Sequence, residues 1–144
     1  MEQQDDPISA ILRQARTIAV VGLSEKDHRP SHTVARYLQM QGYRVIPVNP
    51  VSAGAHILGE LCYAGLENAA AALEKEGTQI DIVDCFRKSE YIPQIVDDAI
   101  RIGARCVWMQ LGVSDPQAAA KAEAAGLFVV MDKCIKIEHG YRVA

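Results

Sequence analysis

The sequence has no C-x-x-C pair, no basic field and no apolar run of membrane length. Its four cysteines, Cys62, Cys85, Cys106 and Cys134, stand well apart, which argues against zinc ribbons and thioredoxin-type redox pairs. Each reads as a small buried hydrophobe in a reduced, cytoplasmic protein. The formal net charge is −3, so nucleic acid is not an expected partner. The longest apolar runs, such as Leu127-Phe128-Val129-Val130-Met131, fall far short of the roughly 20 residues that span a bilayer, so neither is a membrane. Residues 1–7 are polar and acidic, without the positive and apolar regions of a secretory signal. The histidines, His28, His32, His56 and His139, are scattered, with no metal-ligand spacing.

What is present is 49% apolar content in 144 residues, enough for one core and fitting a single domain over 1–144. Residues 6–15 read as a short leading helix with Ile8, Ile11 and Leu12 on one face. Thr17-Ile18-Ala19-Val20-Val21-Gly22 is a continuous apolar run, the mark of a buried parallel strand. A polar loop over 23–29 leads to Pro30-Ser31, which open a helix through Gln41, closed by Gly42. Residues 43–48 form the second strand, stopped by Asn49-Pro50. Residues 51–66 have no period and are expected to be a loop with one short strand near 60–63. Alanine-rich 68–76 is helical, and 79–85 is a strand. Ser89 is expected to cap a helix whose face is Ile92, Ile95, Val96, Ala99 and Ile100. Strands 105–109 and 127–131 flank a helix that starts at Ser114 or Asp115 with Pro116. The tail from Asp132 is mixed and receives no element. Gly42, Gly103 and Gly126 each sit between a helix and a strand, marking αβ units that pair in parallel through right-handed crossovers.

Ligands of an open parallel sheet bind outside the carboxyl ends of its strands. The residues there are Gly22, Leu23, Ser24 and the loop to Ser31; Asn49 and Pro50; Cys85, Phe86 and Arg87; Gln110, Leu111 and Gly112; and Asp132 and Lys133. The first loop meets a helix N-terminus, where backbone amides and the dipole favour an anion. Gly22 admits a close approach, Ser24 and Ser31 offer hydroxyls, and Arg29 offers a fork that matches phosphate. The plainer alternative makes Arg29 a solvated charge and Ser31 a helix cap. Phe86 reads as an adenine face or as a core aromatic, Trp108 as core packing ahead of ligand stacking, and Gln110-Leu111-Gly112 as pocket lining or a turn. Asp84, Asp132 and Glu138 read as structural caps, and His28 and His32 as polar contacts beside the loop. Gly22-Leu23-Ser24 lacks the second glycine of the nicotinamide fingerprint, and the second strand ends in Asn49 rather than an acid. Both departures count against NAD, but not against a nucleotide held by its phosphates.

Ile18-Ala19-Val20-Val21-Gly22-Leu23-Ser24, Arg29-Pro30-Ser31 and Pro47-Val48-Asn49-Pro50 resemble the bacterial CoA-binding proteins, stand-alone relatives of the nucleotide domain of the succinyl-CoA synthetase α subunit. The resemblance runs on through Asp81 to Arg87, Val107 to Gly112 and Val130 to His139. It implies an α/β, three-layer Rossmann-like fold with a mostly parallel five-stranded sheet and helices on both faces. It implies coenzyme A bound by its ADP part across the first loop, the turn that includes Val48, and the Phe86-Arg87 turn. Lys133 stands where several relatives carry Arg. The phosphohistidine of the synthetase belongs to a second domain without a counterpart here. The expected function is non-catalytic: a carrier, sensor or regulator that binds coenzyme A or an acyl-CoA. A small NAD(P)-dependent oxidoreductase, or another adenine-nucleotide enzyme, is the second reading. The exposed surface of 51–65 is open to an unidentified protein partner, and a homodimer is a separate expectation.

Overall fold

The computed structural model describes residues 6–144, so most of the acidic N-terminal stretch read for a secretory signal lies outside the described residues. The chain begins with α1 (Pro7–Gln14), β1 (Thr17–Val21), α2 (Pro30–Met40) and β2 (Arg44–Val48). A two-stranded ribbon follows, β3 (His56–Ile57) and β4 (Glu60–Leu61). Then come α3 (Leu66–Glu74), β5 (Ile82–Cys85), α4 (Ile92–Arg101), β6 (Cys106–Met109), α5 (Pro116–Ala124), β7 (Phe128–Val130) and α6 (Ile135–Arg142). The main sheet has the order β2-β1-β5-β6-β7, and every pairing in it is parallel.

Alternation along the strands splits the apolar residues between two cores. Ala19, Val21, Val83, Cys85, Val107 and Met109 pack with Leu73 of α3, Val96 of α4 and Ala119 of α5. Ile18, Val20, Ile82, Cys106 and Trp108 pack with Leu12 of α1, Leu38 of α2 and Ile135 of α6. Helices therefore cover both faces, giving the three-layer Rossmann-like arrangement. Each fully buried Leu or Ile contributes about 1.5–3 kcal/mol through removal from water. Among the described residues no helix is long and apolar enough to cross a membrane.

The structure corrects the sequence reading in several places. The tail is not formless: α6 buries Ile135 and His139, one turn apart. Segment 51–66 holds a ribbon rather than one strand, turned by Leu58 and Gly59, both at positive φ. That conformation is the two-residue hairpin turn that matches strand twist. α3 starts at Leu66, two residues early. Ser89 caps nothing; it lies in a 3₁₀ turn before α4, and its Oγ accepts from the Ser114 amide at 3.0 Å. Asp115, not Ser114, caps α5 through the Ala118 amide.

Candidate functional site

The chain leaves β1 toward β2 and returns on the other side of β1 to form β5. The loops after β1 and β5 therefore diverge at their carboxyl ends and leave a crevice at this reversal. Three loops are stitched together around it. The Gly22 amide donates to the Val48 carbonyl at 2.7 Å. Asn49 Nδ2 donates to the Leu23 carbonyl at 3.0 Å, while its Oδ1 accepts from the Val51 amide at 3.1 Å. The Ser24 amide donates to Ser31 Oγ at 3.0 Å. Gly22 sits at φ +91°, and a Cβ on it would lie 2.4 Å from the Phe86 carbonyl oxygen. The glycine thus serves the approach of the β5 turn, a role its place in the sequence did not disclose.

These ties enclose a recess of about 250 Å³ lined by Gly22, Ser24, Arg29, Pro30, Ser31 and Phe86. Arg29 stands at the N-cap of α2 with no side-chain capping bond. Its guanidinium has no hydrogen-bond or ion-pair partner among the described residues. The His32 and Thr33 amides both turn back to the Arg29 carbonyl, so the first turn is partly closed on itself and the Arg29 cation dominates the recess. Arg87, next to the recess, stacks its guanidinium 4.1 Å from the centre of the Tyr91 ring. That stacking holds the charge in place without neutralising it. Tyr91 was not singled out from sequence, because an exposed aromatic between polar residues carries no periodic signal. Phe86 is half-buried; it lines the recess and also packs against the α2-side core.

Other candidates go elsewhere. Leu23, Val48 and Cys85 have buried side chains, so only their backbone reaches the carboxyl edge. Asn49 spends its amide on the two loop contacts, and Pro50 is exposed beside it. Gln110 is buried, its Oε1 accepting from the Ile135 amide at 3.1 Å. The Gly112 amide donates to Asp132 Oδ1 at 2.7 Å. The Gln110–Gly112 segment therefore acts as a turn that seats α6. Ser31 does not cap α2; it receives the Ser24 amide instead. Trp108 is core, its Nε1 donating to the Lys133 carbonyl at 2.8 Å. Glu138 pairs with Arg142, and Asp132 braces the Gly112 turn, but Asp84 caps nothing.

The thiols sort in the same way. Cys62, Cys85 and Cys106 are buried and Cys134 is half-buried. Burial, with the Asp84 carboxyl second, pushes the Cys85 and Cys106 thiols well above their ordinary range. A ligand at the recess therefore has no reagent-accessible Cys85 to protect. Titration with an aromatic disulfide should count about one fast thiol in the native protein, Cys134, and all four after denaturation. Fast labelling of Cys85 would show that β5 opens readily.

Asp84 is wholly buried, and neither carboxylate oxygen has a partner among the described residues. Desolvation raises its pKa well above the ordinary 3.8, so the fold keeps a proton that the unfolded chain sheds. The contribution of this carboxyl to stability is therefore full below pH 3.8 and is lost as pH rises toward the folded value. Asp84→Asn, which has nothing to ionise, should unfold at higher urea than wild type at pH 7.5, with the gap closing near pH 4. A gap independent of pH would mean that the carboxyl is solvated.

A cavity of about 580 Å³ lies at the amino edge of the sheet between α3 and α4. Its cation, Arg101, is paired with Glu67 and Asp98, so it offers an anion little. A family model described as "CoA binding domain" matches residues 16–140. The uncharacterized protein YneT of Bacillus subtilis (strain 168) is 36% identical over 132 residues, 92% of this chain and 91% of YneT. A solved Thermus thermophilus protein, cell-free ID.343, superposes with a TM-score of 0.84 at 35% identity, covering 96% of this chain and 98% of that one. A hypothetical protein from Pyrococcus horikoshii OT3 gives 0.82 at 32% identity, with both chains covered in full.

Proposed function

The chain belongs to the CoA binding domain family, and from that membership we propose that it binds coenzyme A or an acyl-CoA through its ADP part at the recess between β1 and β5. On this reading it is a single cytoplasmic domain that works as a carrier, sensor or regulator rather than as a catalyst.

One observation carries the proposal: a guanidinium without a partner among the described residues, that of Arg29, at a helix start, over a recess with Phe86 on its wall. A phosphate between Arg29 and the start of α2 gains a full charge and the helix dipole together. Phe86 offers an aromatic surface beside it for a purine. Arg87 supplies a second cation, oriented by Tyr91. The NAD reading loses ground here. The Asn49 side chain, where an acid would bind a ribose, is committed to Leu23 and Val51.

A thermal-shift comparison tests the reading, because a ligand of the folded state stabilises it by mass action, by about 2.7 kcal/mol at a hundred times its Kd. Coenzyme A should raise the melting temperature at lower concentration than NAD, NADH or NADP. Equal or better stabilisation by NADH overturns the proposal.

A further inference from the structure

Two buried polar groups on the α2 side of the sheet have atoms without a partner among the described residues, and both are close in sequence to residues that line the recess. Asp84 shares its face of β5 with Ile82, which belongs to the α2-side core. Its register partners, Val20 and Trp108, belong to that core too. His32 is on the inward face of α2, 8% exposed, and its Nδ1 has no partner. Because α2 begins at the carboxyl edge of the sheet, its first turn lies toward the end of β5 that carries Asp84. Each group adjoins a recess residue: Ser31 precedes His32, and Phe86 follows Asp84 by two positions.

Buried polar atoms without partners are rare and call for an explanation. One orphan is a local defect. Three orphan atoms, Asp84 Oδ1 and Oδ2 and His32 Nδ1, on one face and at one edge, match the two to four polar partners that a buried water requires. We propose that Asp84 and His32 are joined through one buried water into a polar link from β5 to the first turn of α2, and that this link sets the geometry of the anion recess. Asp84 is then a positioning residue: it fixes where Ser31 and Arg29 stand relative to Phe86, without touching the ligand. An apolar residue at 84 would avoid the desolvation of a carboxyl, so the acid here costs stability. Such a trade is characteristic of functional positions.

The positioning role rests on the coenzyme A reading, whereas the link itself does not, so the test has two arms. In the first, the His32 imidazole nitrogens are followed by NMR at pH 7.5, with His32→Leu giving the assignment. Asp84→Val should displace the His32 signals, and Asp84→Asn, which keeps a donor and an acceptor, should displace them less. In the second, coenzyme A is titrated calorimetrically. Asp84→Val and His32→Leu should each weaken binding about tenfold, the double variant no more than either single one, and Asp84→Asn should stay within about threefold of wild type. Should Asp84→Val not fold, His32→Leu and Asp84→Asn carry both arms. Unmoved His32 signals overturn the link. Unchanged affinity in Asp84→Val, with wild type binding well, overturns the positioning role alone. A wild type that ignores coenzyme A overturns the functional reading and the positioning role together, and leaves the imidazole arm to decide the link.

Discussion

Arg29→Ala is expected to weaken coenzyme A binding by roughly one to two orders of magnitude. The ligand's phosphates carry several negative charges, and the start of α2 supplies only about half a charge through its dipole. A charge-assisted hydrogen bond from a guanidinium is worth roughly 1.5–3 kcal/mol, and about 1.4 kcal/mol is a factor of ten in affinity. The side chain is exposed and has no partner among the described residues, so its removal should change folding stability by less than about 0.5 kcal/mol. Ser31→Ala should act the other way round. It removes the acceptor of the Ser24 amide, loosening the loop more than it weakens contact with the ligand. Calorimetric titration with coenzyme A and dephospho-coenzyme A reads both effects. A small loss for dephospho-coenzyme A places Arg29 on the pyrophosphate, and a large one places it on the 3′-phosphate. If Arg29→Ala binds as tightly as wild type, the phosphates are held elsewhere and the loop is only a connector.

Gly22→Ala should lower stability by about 2–4 kcal/mol, a fall of roughly 5–15 °C in melting temperature for a chain of this size. Two effects add. An alanine held at positive φ is strained by about 1–3 kcal/mol, and its methyl would meet the Phe86 carbonyl at 2.4 Å, an overpacking that backbone atoms cannot relieve by rotating. Gly42→Ala separates them. Gly42 also has positive φ, +99°, but a Cβ there meets nothing within 4 Å, so its loss should be the conformational part alone. Differential scanning calorimetry of both variants checks the difference. Equal losses would mean that the β5 turn yields freely, and Gly22→Ala would then keep its affinity for coenzyme A.

The fold was legible where apolar runs and glycine stops coincide. β1 and β5 are buried along their whole length, so neither shows an alternation to misread, and Gly42, Gly103 and Gly126 mark the returns between layers. α6 escaped because Ile137 and Tyr141 are exposed on the face opposite Ile135 and His139, which blurs the apolar stripe. The site was legible as a set of strand ends, and Gly22, Ser24, Arg29, Ser31 and Phe86 do converge on one recess. What strand ends could not reveal was direction. Cys85 and Phe86 are consecutive, yet the pleat sends the thiol into the core while the ring lies at the edge. Asn49 looked like a ligand contact but bridges two loops, because its side chain matches the carbonyl and amide that those loops leave unpaired.

The contact between the first and last helices has a different kind of consequence. Arg142 Nη1 lies 2.7 Å from Asp6 Oδ2, and Arg13 Nη2 donates to the Arg142 carbonyl at 3.2 Å. Nearby, Tyr37 Oη shares a hydrogen with His139 Nδ1 at 2.8 Å, and the Tyr43 hydroxyl donates to the Leu12 carbonyl. α6 starts at the carboxyl edge and runs back, so this junction gathers the two ends of the described chain on the side away from the recess. Joining those ends with a short linker and reopening the chain at an exposed loop such as 51–55 would preserve every strand pairing of the main sheet. A circularly permuted molecule of that kind should still fold. Cargo attached at residue 6 or residue 144 would trail behind the domain and leave the mouth of the recess clear.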